Sequence, residues 1–300
     1  MSAPHTLVSG GTGFVGRFIV EALLAAGHAV TVLGRRPPPE GFFSGTVGFR
    51  RFTLEPQEID TPLVAGGDFL VHAAFDHLPG RYRGGEGADP EGFRRRNLDG
   101  SVALFAAAKA AGVRRVVFLS SRAVYGPRPA GEELHEEDEA RPDTLYGQVK
   151  LAGEQALDTM RTAGFSGISL RVTGVYGPAG PDRTHKWAGL FADYLAGRHI
   201  ETRAGTEVHG SDVAAAVRLL LEKEDVACLV FNVSDVLVDR RDILSIVKRV
   251  TGCPHPLPQP ADKAAINRMR CDRLMKLGWQ PGGMALLDRT VARLCADFQT

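Results

Sequence analysis

The stretch SGGTGFVG, residues 9–16, decides the fold. It follows a short apolar run, HTLVS (5–9), and opens a longer one of helical period, FVGRFIVEALLAAG (14–27). Gly10, Gly13 and Gly16 recur every third residue, and Gly11-x-Gly13-x-x-Gly16 fits the dinucleotide fingerprint as well. A loop of this kind between a first strand and a first helix has a physical purpose. The chain turns tightly, the backbone can approach a pyrophosphate, and the helix N-terminus offers free N–H groups at the positive end of its dipole. Gly10, Gly13, Phe14, Val15 and Gly16 are therefore expected to hold a dinucleotide.

Beyond this loop, short β-branched runs alternate with helical segments. Strands are expected at 5–9, 29–34, 47–52, 68–74, 114–121, 167–172 and 228–233. Several are almost continuously apolar, as in strands covered on both faces. RRNLDGSVALFAAAKAAG (95–112) and LYGQVKLAGEQALDTMRTAG (145–164) carry i, i+3, i+4 apolar spacing and end at glycine. This order predicts an α/β protein, a Rossmann-like doubly wound parallel sheet of about seven strands with its ligands at the carboxyl ends. After residue 174 the pattern turns irregular, with GPAGPDRTHKW and GCPHPLPQPADK as proline-rich loops. The expected division is a dinucleotide-binding domain over 1–174, joined by the returning strand 228–233, and a small substrate lobe from 175–227 and 234–300.

Composition narrows the function classes. With 24% charged residues and a net charge of +1, nothing calls for nucleic acid or an anionic membrane as partner. No apolar run approaches the roughly 18 residues needed to cross a bilayer, and no leader pattern opens the chain. Cys228, Cys253, Cys271 and Cys295 lie far apart without C-x-x-C spacing, so they read as ordinary intracellular thiols. A cytoplasmic protein with no metal site is expected.

The choice of dinucleotide turns on the end of the second strand, VTVLGRRPPP. An NAD site places Asp or Glu about 20 residues past the loop. Here that position is Gly34, followed by Arg35 and Arg36. The missing carboxylate removes repulsion against a 2′-phosphate, and a guanidinium fork matches one bidentately. NADP is favoured over NAD.

In TLYGQVK (144–150), Tyr146 and Lys150 are four residues apart and share a helix face. Upstream, FLSSRAVYG brings Ser120 and Ser121 to the carboxyl edge of a strand. Taken with GGTGFVG, VHAA (71–74), NLDGS (97–101), LRVTGVYGP (170–178), VHGSDVAAA (208–216) and LGWQP (277–281), the chain resembles the extended short-chain dehydrogenase/reductase family, the sugar-nucleotide epimerases and dehydratases. The resemblance runs over nearly the whole length. It implies Tyr146 as general acid/base, Lys150 as its helper, Ser121 as the hydrogen-bonding partner of the substrate oxygen, and Asn97 as an organiser of the active-site helix or a relay water. Ala73 and Ala74 would line the adenosine side of the cofactor. A homodimer through the helices near 98–111 and 145–163 is implied as well.

Several positions depart from that pattern. Val149 stands where serine usually precedes the lysine, Gly174 replaces the asparagine of RxxNVYGP, and VHGSD replaces VHVDD, with Arg203 only loosely placed for the arginine before it. Arg122 follows Ser121 where the dehydratases carry an Asp-Glu pair, which argues against water elimination, and no cysteine lies near the site. The substrate is expected to be a small molecule, a sugar or nucleotide sugar, contacted by Ser121, Arg122, Arg183, His185 and Trp187, with Lys186 a further candidate in the same loop. Epimerase and net reductase both stay open, as does reduction of a non-nucleotide carbonyl. A silent dinucleotide-sensing regulator is the remaining class, disfavoured because Ser121, Tyr146 and Lys150 are all present. His72 and His209 are expected to be structural, and GEELHEEDE a solvated acidic loop.

Overall fold

The structure is a computed structural model, and it describes residues 3–78, 84–181, 183–226 and 229–296. Strands β1 (His5–Ser9), β2 (Ala29–Gly34), β3 (Gly48–Arg51), β4 (Phe69–His72), β5 (Arg115–Ser121) and β6 (Ser166–Val172) form the expected sheet. β7 (Gly174–Tyr176), β8 (Ala204–His209), β9 (Val230–Val233) and β10 (Val236–Asp239) follow. The large sheet has the order β3-β2-β1-β4-β5-β6-β9 and is parallel throughout. Chain order reverses between β1 and β4, so a crevice opens at their carboxyl ends. The first residue of the strand expected over 228–233 falls outside the described residues; from Val230 the strand pairs with β6.

The helices are α1 (Phe14–Ala25), α2 (Thr61–Val64), α3 (Pro90–Arg94), α4 (Gly100–Ala110), α5 (Leu145–Thr159), α6 (Ala188–Leu195), α7 (Gly210–Glu222), α8 (Arg240–Thr251), α9 (Asp272–Lys276) and α10 (Gly283–Ala296). Helices cover both faces of the sheet, which explains the unbroken apolar strands: Leu7, Val8, Leu70 and Val71 are fully buried. One core gathers α1 and α7 over the sheet, and another gathers α2, α4 and the end of α5 beneath it. A third, distinct core joins Tyr176, Trp187, Phe191, Val238, Leu244 and Leu287 around the small sheet β10-β8-β7.

Packing draws the line between the two parts differently from the expected boundaries. Helix α7, assigned to the lobe by chain position, lies against α1. Its Val213, Val217, Leu220 and Leu221 form an apolar stripe buried in the main core. The segment around α9 joins the same core through Cys271, Leu274 and Trp279, and the Trp279 indole donates to the Asp212 carbonyl at 2.9 Å. Helical periodicity marks an apolar face, and burial chooses the partner for it.

Candidate active site

The glycine turn is built by close approach. Gly10 adopts φ +71°, its N–H donates to the Leu33 carbonyl at 3.0 Å, and its own carbonyl accepts from Gly13 at 2.8 Å. A Cβ at residue 16 would stand 2.1 Å from the Gly10 carbonyl oxygen, and one at residue 10 would stand 2.7 Å from the Ala74 nitrogen. Side chains at either position would break the turn open. α1 starts immediately after it with no side-chain cap, which leaves its first N–H groups facing the crevice.

That crevice is a cavity of about 1770 Å³. Its wall includes Gly10, Gly13, Phe14, Val15, Gly16, Arg35, Ala73, Ala74, Ser121, Arg122, Tyr146, Lys150, Arg183 and Trp187. The structure thus gathers most of the expected site residues around one space. Asn97, Arg36 and His185 are not on the wall.

Two devices bring Tyr146 beside the β5 edge. Thr144 caps α5 by accepting from the Gly147 N–H at 3.1 Å. Gly147 then lets α5 press on the turn after Ser121, because a Cβ there would lie 2.6 Å from the Ala123 carbonyl oxygen. Ser121 Oγ accepts from the Ala123 N–H at 3.1 Å, which fixes the hydroxyl at the cavity edge with its own proton free to donate.

Lys150 is 4% exposed. Its Nζ donates to the Leu119 carbonyl at 2.6 Å and lies 4.3 Å from the centre of the Phe75 ring, 4.7 Å from that of Phe118 and 6.0 Å from that of Tyr146. Phe75 also meets Tyr146 edge-on, with ring centres 5.1 Å apart. Burial lowers the Lys150 pKa to about 7, and Glu154 opposes the fall only partly. Glu154 is committed elsewhere: it accepts from the Ser120 hydroxyl and pairs with buried Arg171 at 2.8 Å. Arg171 rests over the Tyr125 ring, and the Tyr125 hydroxyl donates to Asn232 Oδ1 at 2.7 Å. Under this edge lies a buried polar chain that no local sequence pattern signals.

Asn97 sits behind the wall in a π-turn between α3 and α4, and it is 2% exposed. Its Oδ1 accepts from the Asp76 N–H at 2.7 Å, while its Nδ2 donates to the Asp76 carbonyl at 2.7 Å and that of Phe93 at 3.0 Å. These contacts hold the loop that presents Phe75 to Lys150; they do not point the amide at the cavity. His72 bonds Ser9 Oγ at 2.6 Å and Ser101 Oγ at 2.8 Å, and burial pushes its pKa down to about 3, so it is a neutral core connector.

In the lobe, Trp187 is buried and stacks on Tyr176 at 5.2 Å, so only part of it reaches the cavity. Arg183 is exposed, and His185 turns to Phe191 at 5.0 Å. Lys186 pairs with Glu207 at 2.5 Å on the cavity wall, a partnership across 21 positions that no local motif signals. The acidic loop is not simply solvated, since Glu133 and Glu137 pair with Arg270 and Arg273, and Glu136, its side chain turned inward, accepts from the Asn232 N–H. His209 caps α7 by accepting from the Ser211 N–H, and burial lowers its pKa to about 4.

A model of the NAD dependent epimerase/dehydratase family matches residues 6–234. The chain belongs to this family. A UDP-glucose 4-epimerase of Streptomyces lividans is 29% identical over 92% of this chain and 91% of its own. The dTDP-6-deoxy-L-talose 4-dehydrogenase (NAD(P)(+)) of Kitasatospora kifunensis is 33% identical over 65% of this chain and 61% of its own. Among solved structures, MoeE5 in complex with UDP-glucose and NAD is 28% identical, covers 99% of this chain and 100% of its own, and gives a TM-score of 0.78. UDP-glucose 4-epimerase of Thermus thermophilus in complex with NAD is 28% identical over 97% and 99%, with a TM-score of 0.77. In this member of the family the residues fit a dinucleotide: the side-chain-free turn at Gly10 and Gly16 and the uncapped start of α1 form the cradle a pyrophosphate needs.

Among the described residues, no helix is long and apolar enough to cross a membrane, and no group of three or more metal-ligating side chains occurs.

Proposed function

We propose that this protein transfers hydride to or from a secondary alcohol or ketone of a sugar or nucleotide sugar, with Tyr146 as the acid/base. The observation that carries the reading is the meeting of Ser121, Tyr146 and Lys150 on the wall of the same cavity as the glycine turn. A nicotinamide dinucleotide, when bound, supplies or takes up the hydride. Tyr146 removes the substrate's hydroxyl proton during oxidation and returns it during reduction. A free phenol has a pKa of about 10, and lowering it by roughly 3 units takes about 4 kcal/mol of preferential stabilisation of the phenolate. Lys150 in its ammonium form, drawn from solvent between two aromatic rings, favours that anion across a medium that screens poorly, and the anion in turn holds the proton on Lys150. The Ser121 hydroxyl donates to the substrate oxygen and holds it near the phenol.

Two finer choices belong to this reading. Epimerisation returns the hydride to the other face of a turned keto intermediate and leaves the cofactor unchanged, whereas a reductase releases it. The relatives named UDP-glucose 4-epimerase support the first. Gly34 and exposed Arg35 on the cavity wall support exchangeable NADP and the second. Elimination of water is disfavoured, since Arg122 and Ala123 stand where an acid pair would act. The proposal includes a homodimer through α4 and α5, which light scattering tests.

The functional test is incubation of purified protein with UDP-glucose, UDP-galactose and dTDP-sugars, with NAD+ or NADP+. Absorbance at 340 nm reads net oxidation, and proton NMR of the anomeric signal reads epimerisation. Loss of both on Tyr146→Phe supports the proposal; either activity surviving at the wild-type rate rejects it.

A further inference from the structure

The group beside Ser121 raises a question that hydride transfer alone does not answer. Arg122 lines the cavity with its guanidinium partly buried, yet it has no carboxylate partner among the described residues. One of its donors, Nη2, reaches the Asn267 carbonyl at 3.1 Å, and its Nε is buried with no partner. Burial lowers its pKa, and nearby Tyr125 opposes the fall. Two other arginines drawn inward have their charge or most of their donors met, Arg171 by Glu154 and Arg115 by the carbonyls of Leu220, Lys223 and Glu224, although Arg171 Nη1, Arg17 Nε and Arg128 Nε are also buried without a partner. Across the cavity, Lys186 is already neutralised by Glu207. A half-buried guanidinium with open donors is costly unless an anion completes it, and its planar fork suits a carboxylate or phosphate.

Nor is Arg122 needed to pin the segment it touches. That strap is anchored without it: Asn267 Nδ2 donates to the carbonyls of Pro129 and Glu132, Gly131 N–H to Ala265, and Leu134 N–H to Arg268.

We propose that Arg122 receives an anionic group, a carboxylate or phosphate, that the substrate carries on or next to its reacting carbon. The inference rests on the reading of Ser121 as the holder of the reacting oxygen, because Arg122 is the next residue and opens on the same space. It makes Arg122 a specificity-determining residue and directs the substrate search toward acidic sugars, sugar phosphates close to the carbonyl, and hydroxy acids.

The test is titration calorimetry on protein saturated with NAD+, at constant ionic strength, with glucose, sodium glucuronate and glucose 6-phosphate as probes. Saturation with the dinucleotide keeps the probes off the glycine turn. At least one anion is expected to bind about tenfold tighter than glucose, the scale of a charge-assisted hydrogen bond. Preference for glucuronate alone assigns a carboxylate, for glucose 6-phosphate alone a phosphate, and for both a site that reads charge. Arg122→Gln should erase the preference, while Arg122→Lys, which keeps the charge without the fork, retains part of it. NADH fluorescence and the melting temperature of each variant establish that the fold and the cofactor site survive. Equal affinity of wild type for glucose and both anions, or a preference unchanged in Arg122→Gln, overturns the proposal. Because these are binding measurements, they stand apart from the acid/base reading: anion preference lost in Arg122→Gln with hydride transfer intact in Tyr146→Phe would fail only the latter.

Discussion

Replacing Lys150 with methionine removes an ammonium that is 4% exposed and fills its space with a chain of similar length. The Lys150 pKa falls from 10.5 to about 7, chiefly because burial disfavours the charge. At about 1.4 kcal/mol per tenfold, a fall of that size corresponds to about 5 kcal/mol of folding free energy spent on keeping the ammonium charged. The sign follows from proton counts. Between pH 7 and 10.5 the unfolded chain binds the proton more tightly than the folded one, so stability rises with pH through that window. Below pH 7 both states are charged and the full cost applies; at pH 9.5 only about 1 kcal/mol of it remains. Urea denaturation of wild type and Lys150→Met at pH 6 and pH 9.5 measures the effect. The methionine variant should gain about 3 kcal/mol more, relative to wild type, at pH 6 than at pH 9.5. Packing changes and the loss of the Leu119 carbonyl's partner are common to both pH values and cancel in the difference. An equal shift at the two pH values would refute the reasoning, because the lysine would then carry no folding cost of its own charge.

Two further substitutions probe the supports of the site. Glu154→Ala leaves buried Arg171 without its counter-charge and should cost about 3–5 kcal/mol in the same assay, more than its effect on cofactor affinity. Gly147→Ala drives a methyl group into the Ala123 carbonyl and should cost about 1–3 kcal/mol, with a fall in kcat as Tyr146 moves away from Ser121. A thermal scan paired with steady-state rates checks it, and a variant as stable and active as wild type would contradict the contact.

Much of this was legible beforehand, for reasons that differ element by element. The strands of the large sheet announce themselves because both faces are covered, so a local run of Val, Leu and Phe suffices. The glycine turn is legible because its demand for absent side chains is local, and Tyr146 and Lys150 because one helix carries both. What stayed hidden depends on elements far apart in sequence. Glu154 finds Arg171 only through the packing of α5 on β6, and Phe75 reaches Lys150 only because Asn97 grips Asp76. Helix α7 looked like part of the lobe by its place in the chain, and its burial against α1 could not be read from its own periodicity. Arg36 and His185 fit the pattern of a binding loop by residue type, but neither side chain reaches the cavity that their neighbours Arg35 and Lys186 line.

Every chemical step proposed for the site requires Tyr146 to ionise near neutral pH when charged neighbours surround it. The direct measurement is the ultraviolet difference spectrum of phenolate formation near 295 nm, recorded against pH with NAD+ bound, for wild type minus Tyr146→Phe. A single phenolate titrating about 2–3 units below the ordinary tyrosine value, present in wild type and absent from the variant, is the predicted result. Identical titration curves for the two proteins up to pH 9 would contradict it.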